Sequence, residues 1–153
     1  MHPIRQGDVY LEPVSTLPAN LKPVDRDHAR VILAYGEVTG HAHAIHDGGC
    51  ALLEAEDGQR FLRVDDVELV MEPRGVIDRE LRDIELADGT IVRFTPEQFA
   101  EAKTAIRDSG RLTTRGVLLK HEEHAAVVVE PGDFALPGQR EYVAPEIERR
   151  VAD

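Results

Sequence analysis

The sequence contains one cysteine, no tryptophan and no long apolar run, and each absence narrows the class of protein. A single thiol, that of Cys50, cannot form an intramolecular disulfide, which favours a reducing compartment. No stretch approaches the roughly 20 apolar residues of a membrane-spanning helix. Residues 1–8 lack a charged segment followed by an apolar run, so they do not resemble a secretory signal. We therefore expect a soluble, cytoplasmic protein without a membrane contact.

Basic residues are also few relative to acidic ones. The chain has 18 Lys and Arg against 29 Asp and Glu, a formal charge of −11. The electrostatic field of a protein with this negative charge repels phosphate backbones, and nucleic-acid binding normally depends on a basic face. Aromatic residues make up 5% of the chain, which leaves little material for stacking on bases. Nucleic acid is therefore an unlikely partner.

Short apolar or alternating runs separated by Gly, Pro and Asp predict a mainly β fold. At 153 residues we expect a single domain over 1–153, since folding at this size buries roughly two-thirds of the unfolded surface. The pattern is typical of a small β-barrel or sandwich. The predicted strands cover residues 7–13, 30–38, 50–55, 60–64, 117–119, 125–129, 134–136 and 140–143.

Residues 65–116 differ in character and predict an insertion between two β regions. Runs at 80–86 and 90–94 flank Asp88-Gly89, a pair that tolerates the positive φ of a tight hairpin turn. A helix follows, and a charged, flexible tail is expected at 145–153.

The predicted helix begins at Thr95, with Pro96 in its first turn and Gln98 completing a capping box. It is predicted to end at Ser109-Gly110. Phe99, Ala102 and Ile106 form one apolar stripe. So short a helix needs tertiary packing, either on its own hairpin or on another chain. We predict a homodimer through or near the insertion.

Five of the seven histidines lie in two short groups, at 41–46 and 121–124. His41 and His43 are two residues apart, so in a strand both project from one face. In the second group an extended chain separates His121 from His124, whereas a turn or bulge brings them to one side. We predict that His41, His43, His121 and His124 bind one divalent transition metal (zinc, iron or manganese).

Two carboxylates within the second group, Glu122 and Glu123, are candidates for a further ligand or a general base. Three protein ligands would leave an open position for water or substrate, whereas four would close the site. Two functions therefore stay open. One is a metal-dependent enzyme acting on a small molecule. The other is a non-catalytic module in which the histidine cluster is structural and the insertion contacts a protein partner.

Plainer interpretations compete with these predictions. Any one histidine alone is more often structural than a ligand, and a histidine beside a glutamate is often a solvated charge pair. His46 is out of phase with His43 and predicts a loop position. Cys50 could act as a nucleophile beside His46, but it opens an apolar run where a buried, inert thiol is common.

The stretch 36–47 resembles the first motif of the cupin superfamily, with His41 and His43 as the His-x-His pair and Asp47 in place of the acidic ligand. Residues 131–138 are similar to the second cupin motif, although the second histidine group precedes this turn instead of following it. The resemblance implies a cupin-like metal barrel.

Residues 6–9, 36–43, 121–125 and 139–142 also resemble a group of short bacterial hypothetical proteins with HAH and HEEH motifs. That group lacks most of the middle segment, which implies that 65–116 is an insertion. It has no established activity and so implies no function.

Overall fold

The computed structural model describes residues 2–36 and 41–137. The strand predicted at 140–143, the tail predicted at 145–153 and the end of the strand predicted at 30–38 lie outside the described residues. Over the described part the prediction of a mainly β fold is confirmed. In chain order its elements are β1 (Ile4–Gln6), β2 (Val9–Val14), β3 (Lys22–Pro23), β4 (Val31–Tyr35), β5 (Ala42–Ile45), β6 (Cys50–Glu54), β7 (Arg60–Val64), β8 (Glu68–Met71), β9 (Pro73–Asp78), β10 (Asp83–Leu86), β11 (Ile91–Arg93), α1 (Pro96–Ser109), β12 (Leu112–Arg115), β13 (Val117–Lys120), β14 (Val127–Val129) and β15 (Gly132–Leu136).

The strands pair antiparallel in separate sheets. A six-stranded sheet has the order β1-β2-β15-β7-β6-β3, and a four-stranded sheet has the order β14-β13-β5-β4. The middle of the chain supplies the three-stranded sheet β11-β10-β9 and the pair β12-β8. The two larger sheets share one apolar core. Fully buried side chains from both sheets line it: Leu11, Leu62 and Phe134 from the larger sheet, and Leu33, Ile45 and Leu119 from the smaller.

The sequence predicted either a small β-barrel or a sandwich. The barrel alternative is wrong, because no sheet closes on itself within residues 2–36 and 41–137. The six-stranded sheet keeps β1 and β3 as edges, and the four-stranded sheet keeps β14 and β4. At one edge the cause is local: β3 ends in Pro23, which has no N–H to extend a ladder. Two open sheets that share a core satisfy the same alternating pattern as a barrel, so the pattern alone does not separate them.

The hairpin predicted in the middle segment is present as β10 and β11. Its turn uses Gly89 at φ +92°, and the Asp88 carboxylate accepts a hydrogen bond from the Thr90 N–H at 2.9 Å. Residues 80–82, expected to be strand, instead form a turn between β9 and β10, with Arg82 at φ +63°.

The helix begins and ends as its capping residues predict. Thr95 and Gln98 form the capping box, and Gly110 closes the helix at φ +73°. Phe99 and Ala102 are buried. No helix within the described residues is long and apolar enough to cross a bilayer.

A second core joins this middle segment to the four-stranded sheet. Helix and hairpin side chains pack in one cluster with Leu118, Ala126 and Val128 of the β13–β14 region. The stripe on the helix is therefore covered within one chain, by its own hairpin and by the sheet, so it no longer argues for a second copy. Dimerisation stays a prediction.

The shared second core predicts that the middle segment and the sheets unfold together. Phe99→Ala should destabilise the chain by about 3–5 kcal/mol, since it leaves a cavity in that core. The exposed Val70→Ala, in the same segment, is the control and should change stability by less than about 0.5 kcal/mol. Urea unfolding followed by circular dichroism should show one transition, shifted only by Phe99→Ala. Two separate transitions would contradict the shared core.

Candidate metal centre

Strand register brings the two histidine groups together. β13 runs antiparallel to β5, with Lys120 opposite Ala44. Extending this register by one residue beyond the end of β13 puts His121 opposite His43, and the two rings stack with centroids 4.1 Å apart. His41 directly precedes β5, so it lies at the same end of the sheet.

All four predicted ligands are neighbours in the structure. The chain bends at 122–124, which selects the turn among the two alternatives that the sequence left open. The ring centroids are separated by 4.8 Å for His121 and His124, 6.0 Å for His43 and His124, and 6.3 Å for His41 and His121. Metal binding by this four-histidine cluster stays a prediction.

A buried glutamine, Gln6, contacts His43 of the first group and the backbone on both sides of the second group. Its Nε2 donates hydrogen bonds to the Leu119 and Ala125 carbonyls, each at 2.9 Å, and its Oε1 lies 2.8 Å from His43 Nδ1. Sequence reasoning missed Gln6, because polar residues in short strands usually face water. One signal was available: Gln6 shares the strand phase of Ile4, which packs on the main core.

The His43 ring is held neutral. Burial lowers the pKa of His43 to about 4, with the neighbouring His121 and His124 as further causes. Burial, followed by His124, also lowers the pKa of His121. Neutral imidazole is the form that binds metal ions.

The remaining ring nitrogens differ in availability. His41 Nδ1 is buried without a hydrogen-bond partner in the described part of the chain, and the Glu123 carboxylate lies 3.6 Å away. An unpaired buried nitrogen is costly, and a ligand would satisfy it. His121 Nδ1 instead accepts a hydrogen bond from the Glu123 N–H at 3.0 Å.

The two candidate carboxylates have different surroundings. Glu122 accepts a hydrogen bond from the Ala42 N–H at 3.0 Å, which ties the loop to β5. Burial raises the pKa of Glu122, but that hydrogen bond and nearby histidines outweigh burial and lower it overall. Glu123 has a side chain that is 60% exposed, and its carboxylate lies 3.6 Å from His41 Nδ1. Glu123 is thus the freer candidate for proton transfer.

The rings are near one another but are not arranged around one ion. Imidazoles on a tetrahedral ion with bonds of 2.0–2.1 Å have centroids about 5 Å apart, comparable to the spacings here. Within residues 2–36 and 41–137, however, no three His, Cys, Asp or Glu side chains present donor atoms in a metal-holding arrangement. Two causes are visible: His121 Nδ1 is engaged, and the rings of His43 and His121 are stacked 24° from parallel. Metal binding would require the loop rings to turn.

A cleft of about 410 Å³ lies beside the cluster. Residues 121–124 form one wall, and Gly89, Thr90 and Ile91 of the middle hairpin line it as well. Backbone hydrogen bonds fix the two sides: Arg93 N–H donates to the Ala126 carbonyl, and Ala126 N–H donates to the Ile91 carbonyl, both at 2.8 Å. The predicted insertion therefore borders the histidine loop directly.

Two residues considered from the sequence take no part in the cluster. His46 is exposed just beyond β5. Cys50 is 8% exposed in the main core. Burial raises the pKa of the Cys50 thiol to about 11, so the inert interpretation of this cysteine applies rather than the nucleophilic one.

Part of this site lies in a segment that matches a known protein family. Residues 5–95, more than half of the 153-residue chain, match the family described as Domain of unknown function (DUF8820). The chain belongs to this family. The family segment contains Gln6, His41 and His43, runs into the predicted insertion as far as residue 95, and ends before the loop at 121–124.

The family description states no activity, in agreement with the hypothetical proteins that the motifs resemble, and it gives no link to the cupins. No solved structure matches the chain.

The low pKa of His43 predicts acid sensitivity of the metal-free protein. The folded pKa, about 4, is below the unfolded value of about 6.5, so between these values only the unfolded chain takes up the proton. The stabilisation is complete above about pH 6.5 and is lost towards pH 4, by up to roughly 3 kcal/mol. Urea unfolding in a chelating buffer measures it. His43→Gln should flatten this pH dependence, whereas the exposed His28→Asn should not. Equal slopes in both variants would disprove it.

The packing of Gly7 against the cluster leads to a second prediction. Gly7 has a backbone φ of +57°, and a Cβ added there would lie 2.7 Å from His124 Nε2. Gly7→Ala should lose about 1–2 kcal/mol from backbone strain and also displace the His124 ring. Gly89→Ala is the matched control, because its backbone has φ +92° and its added Cβ would meet no atom of the described residues within 4 Å. Histidine ring signals in NMR spectra should shift only for Gly7→Ala. Unmoved signals would contradict the close packing.

Proposed function

We propose that the four-histidine cluster binds a divalent transition metal and that the protein is a metal-dependent enzyme acting on a small molecule in the adjacent cleft. One observation carries the proposal. His121 and His124, about 80 residues further along the chain, lie beside the neutral ring of His43. The Nδ1 atom of that ring is hydrogen-bonded to Gln6. The buried His41 Nδ1 also supports it, because this atom accepts and donates no hydrogen bond among the described residues, whereas buried polar atoms normally have such partners.

His43, His41 and His124 would hold the ion, and His121 would join them if its ring turned away from the Glu123 N–H. Imidazole ligands suit zinc and iron, and carboxylates such as those beside the cluster suit manganese. When bound, zinc would supply Lewis-acid chemistry for hydrolysis, whereas iron or manganese would supply redox chemistry. Glu123, exposed and beside His41, would act as the base, and Glu122 would hold the loop against β5.

The surroundings of the cluster fit this proposal. The cleft gives a small molecule access to one side of the histidine loop. We also propose that the two large sheets form the layers of a sandwich, since both line one core. A cytoplasmic setting would keep the Cys50 thiol reduced.

A non-catalytic module is the second candidate, and exposed apolar residues favour it. Four of them lie on the middle segment: Val70, Ile77, Leu81 and Ile91, with exposures of 37–51%. A partner protein or a second copy would cover them. Closed four-histidine ligation would fit this candidate. Added azide should alter the spectrum of the cobalt-loaded enzyme through an open position, and it should leave that of a closed site unchanged.

The test of the proposal is cobalt binding by protein purified without a histidine tag. Stripped protein titrated with Co²⁺ should bind about one equivalent and develop visible bands of a low-coordinate site. His43→Ala should weaken binding by at least about 10–100-fold, since losing even a residue that only orients a metal ligand costs that much. His46→Ala, exposed in the same segment, is the matched control and should bind like the wild type. Binding far below one equivalent, or equal binding by both variants, would remove the site.

A further inference from the structure

Gln6 is a buried polar side chain that connects His43 with both ends of the loop carrying the second histidine group. It is 3% exposed, and it contacts His43 as well as the carbonyls of Leu119 and Ala125. We infer that Gln6 is a positioning residue that fixes the proton of His43 on Nδ1, so that Nε2 is the atom offered to a ligand. The role in ligand binding rests on the proposed function, whereas the proton position does not.

The amide can be oriented in one way only. Leu119 and Ala125 offer carbonyl oxygens, which accept and cannot donate, so the NH₂ group must face them. Both amide hydrogens are thereby used, and Oε1 is left facing His43 Nδ1 at 2.8 Å. An oxygen that only accepts requires a donor, so Nδ1 carries the hydrogen and the Nε2 of the neutral ring keeps its lone pair.

The neighbouring ring has the opposite arrangement. His121 Nδ1 accepts a hydrogen bond from the Glu123 N–H, so its neutral ring carries the hydrogen on Nε2. The stacked rings of His43 and His121 therefore hold different tautomers, and each tautomer is set by its own hydrogen bond. Hydrogen-bond partners of this kind commonly orient metal-binding histidines.

The same amide also fixes the loop that carries the second histidine group. Leu119 lies in β13 before the loop, and Ala125 lies after it. One NH₂ group thus ties the two ends of the loop together, while Oε1 holds the ring facing it. Replacement of Gln6 should release the His43 tautomer and the loop at once.

The experiment measures the histidine tautomers of the metal-free full chain by long-range ¹H–¹⁵N NMR, with His43→Gln assigning the His43 signals. The wild type should show His43 with a protonated Nδ1 and an unprotonated Nε2. Gln6→Met, of similar volume, should give mixed tautomers at His43. Gln98→Met is the matched control: it removes an amide that donates to Glu130 at the helix cap, away from the cluster, and should leave the His43 signals unchanged.

A wild-type His43 protonated on Nε2 would overturn the inference, and this result does not depend on whether any variant folds. A single Nδ1–H tautomer retained in folded Gln6→Met would overturn it as well. Cobalt titration of the same variants supplies the second readout, with binding weakened about 10–100-fold in Gln6→Met and unchanged in Gln98→Met. If the tautomer responds but the wild type binds no metal, the positioning role stands and the proposed function fails.

Discussion

The arrangement of the candidate site depends on satisfying one buried amide. Removing an amide from water without hydrogen bonds costs on the order of a few kcal/mol. Gln6 avoids that cost because three groups from distant parts of the chain converge on it: the ring of His43 and the carbonyls of Leu119 and Ala125. Any movement of β5 or of the histidine loop would leave part of this network unpaired, so the network restricts both.

The middle segment stabilises the same loop from the other side. Its strand β11 bonds to the backbone of Ala126, two residues after His124, and its helix packs in a core that includes Ala126 and Val128. The segment is thus continuous with the site, although the sequence marks it as an insertion. The hairpin of the middle segment also lines the cleft beside the cluster, so the segment shapes the access of small molecules to the histidines.

Local features could be predicted from the sequence, and long-range ones could not. Thr95, Gln98 and Gly110 define the helix because their capping interactions lie within a few residues. The bend at 122–124 and the burial of Gln6 depend on partners far along the chain, so no local pattern fixes them. Whether a sheet closes into a barrel likewise depends on pairing between its two edge strands, which a local pattern does not predict. Strand alternation predicts that His41 and His43 share one face, but their proximity to His121 depends on the register between β5 and β13.

Metal binding by the cluster is tested most directly by a crystal structure of the protein soaked with Zn²⁺, with anomalous diffraction collected at the zinc edge. We expect one strong anomalous peak within about 2.0–2.1 Å of His43 Nε2 and of further histidine nitrogens of the cluster. The Gln6 amide should remain on Nδ1 of the same ring. Peaks confined to exposed residues such as His28, with none among His41, His43, His121 and His124, would contradict it.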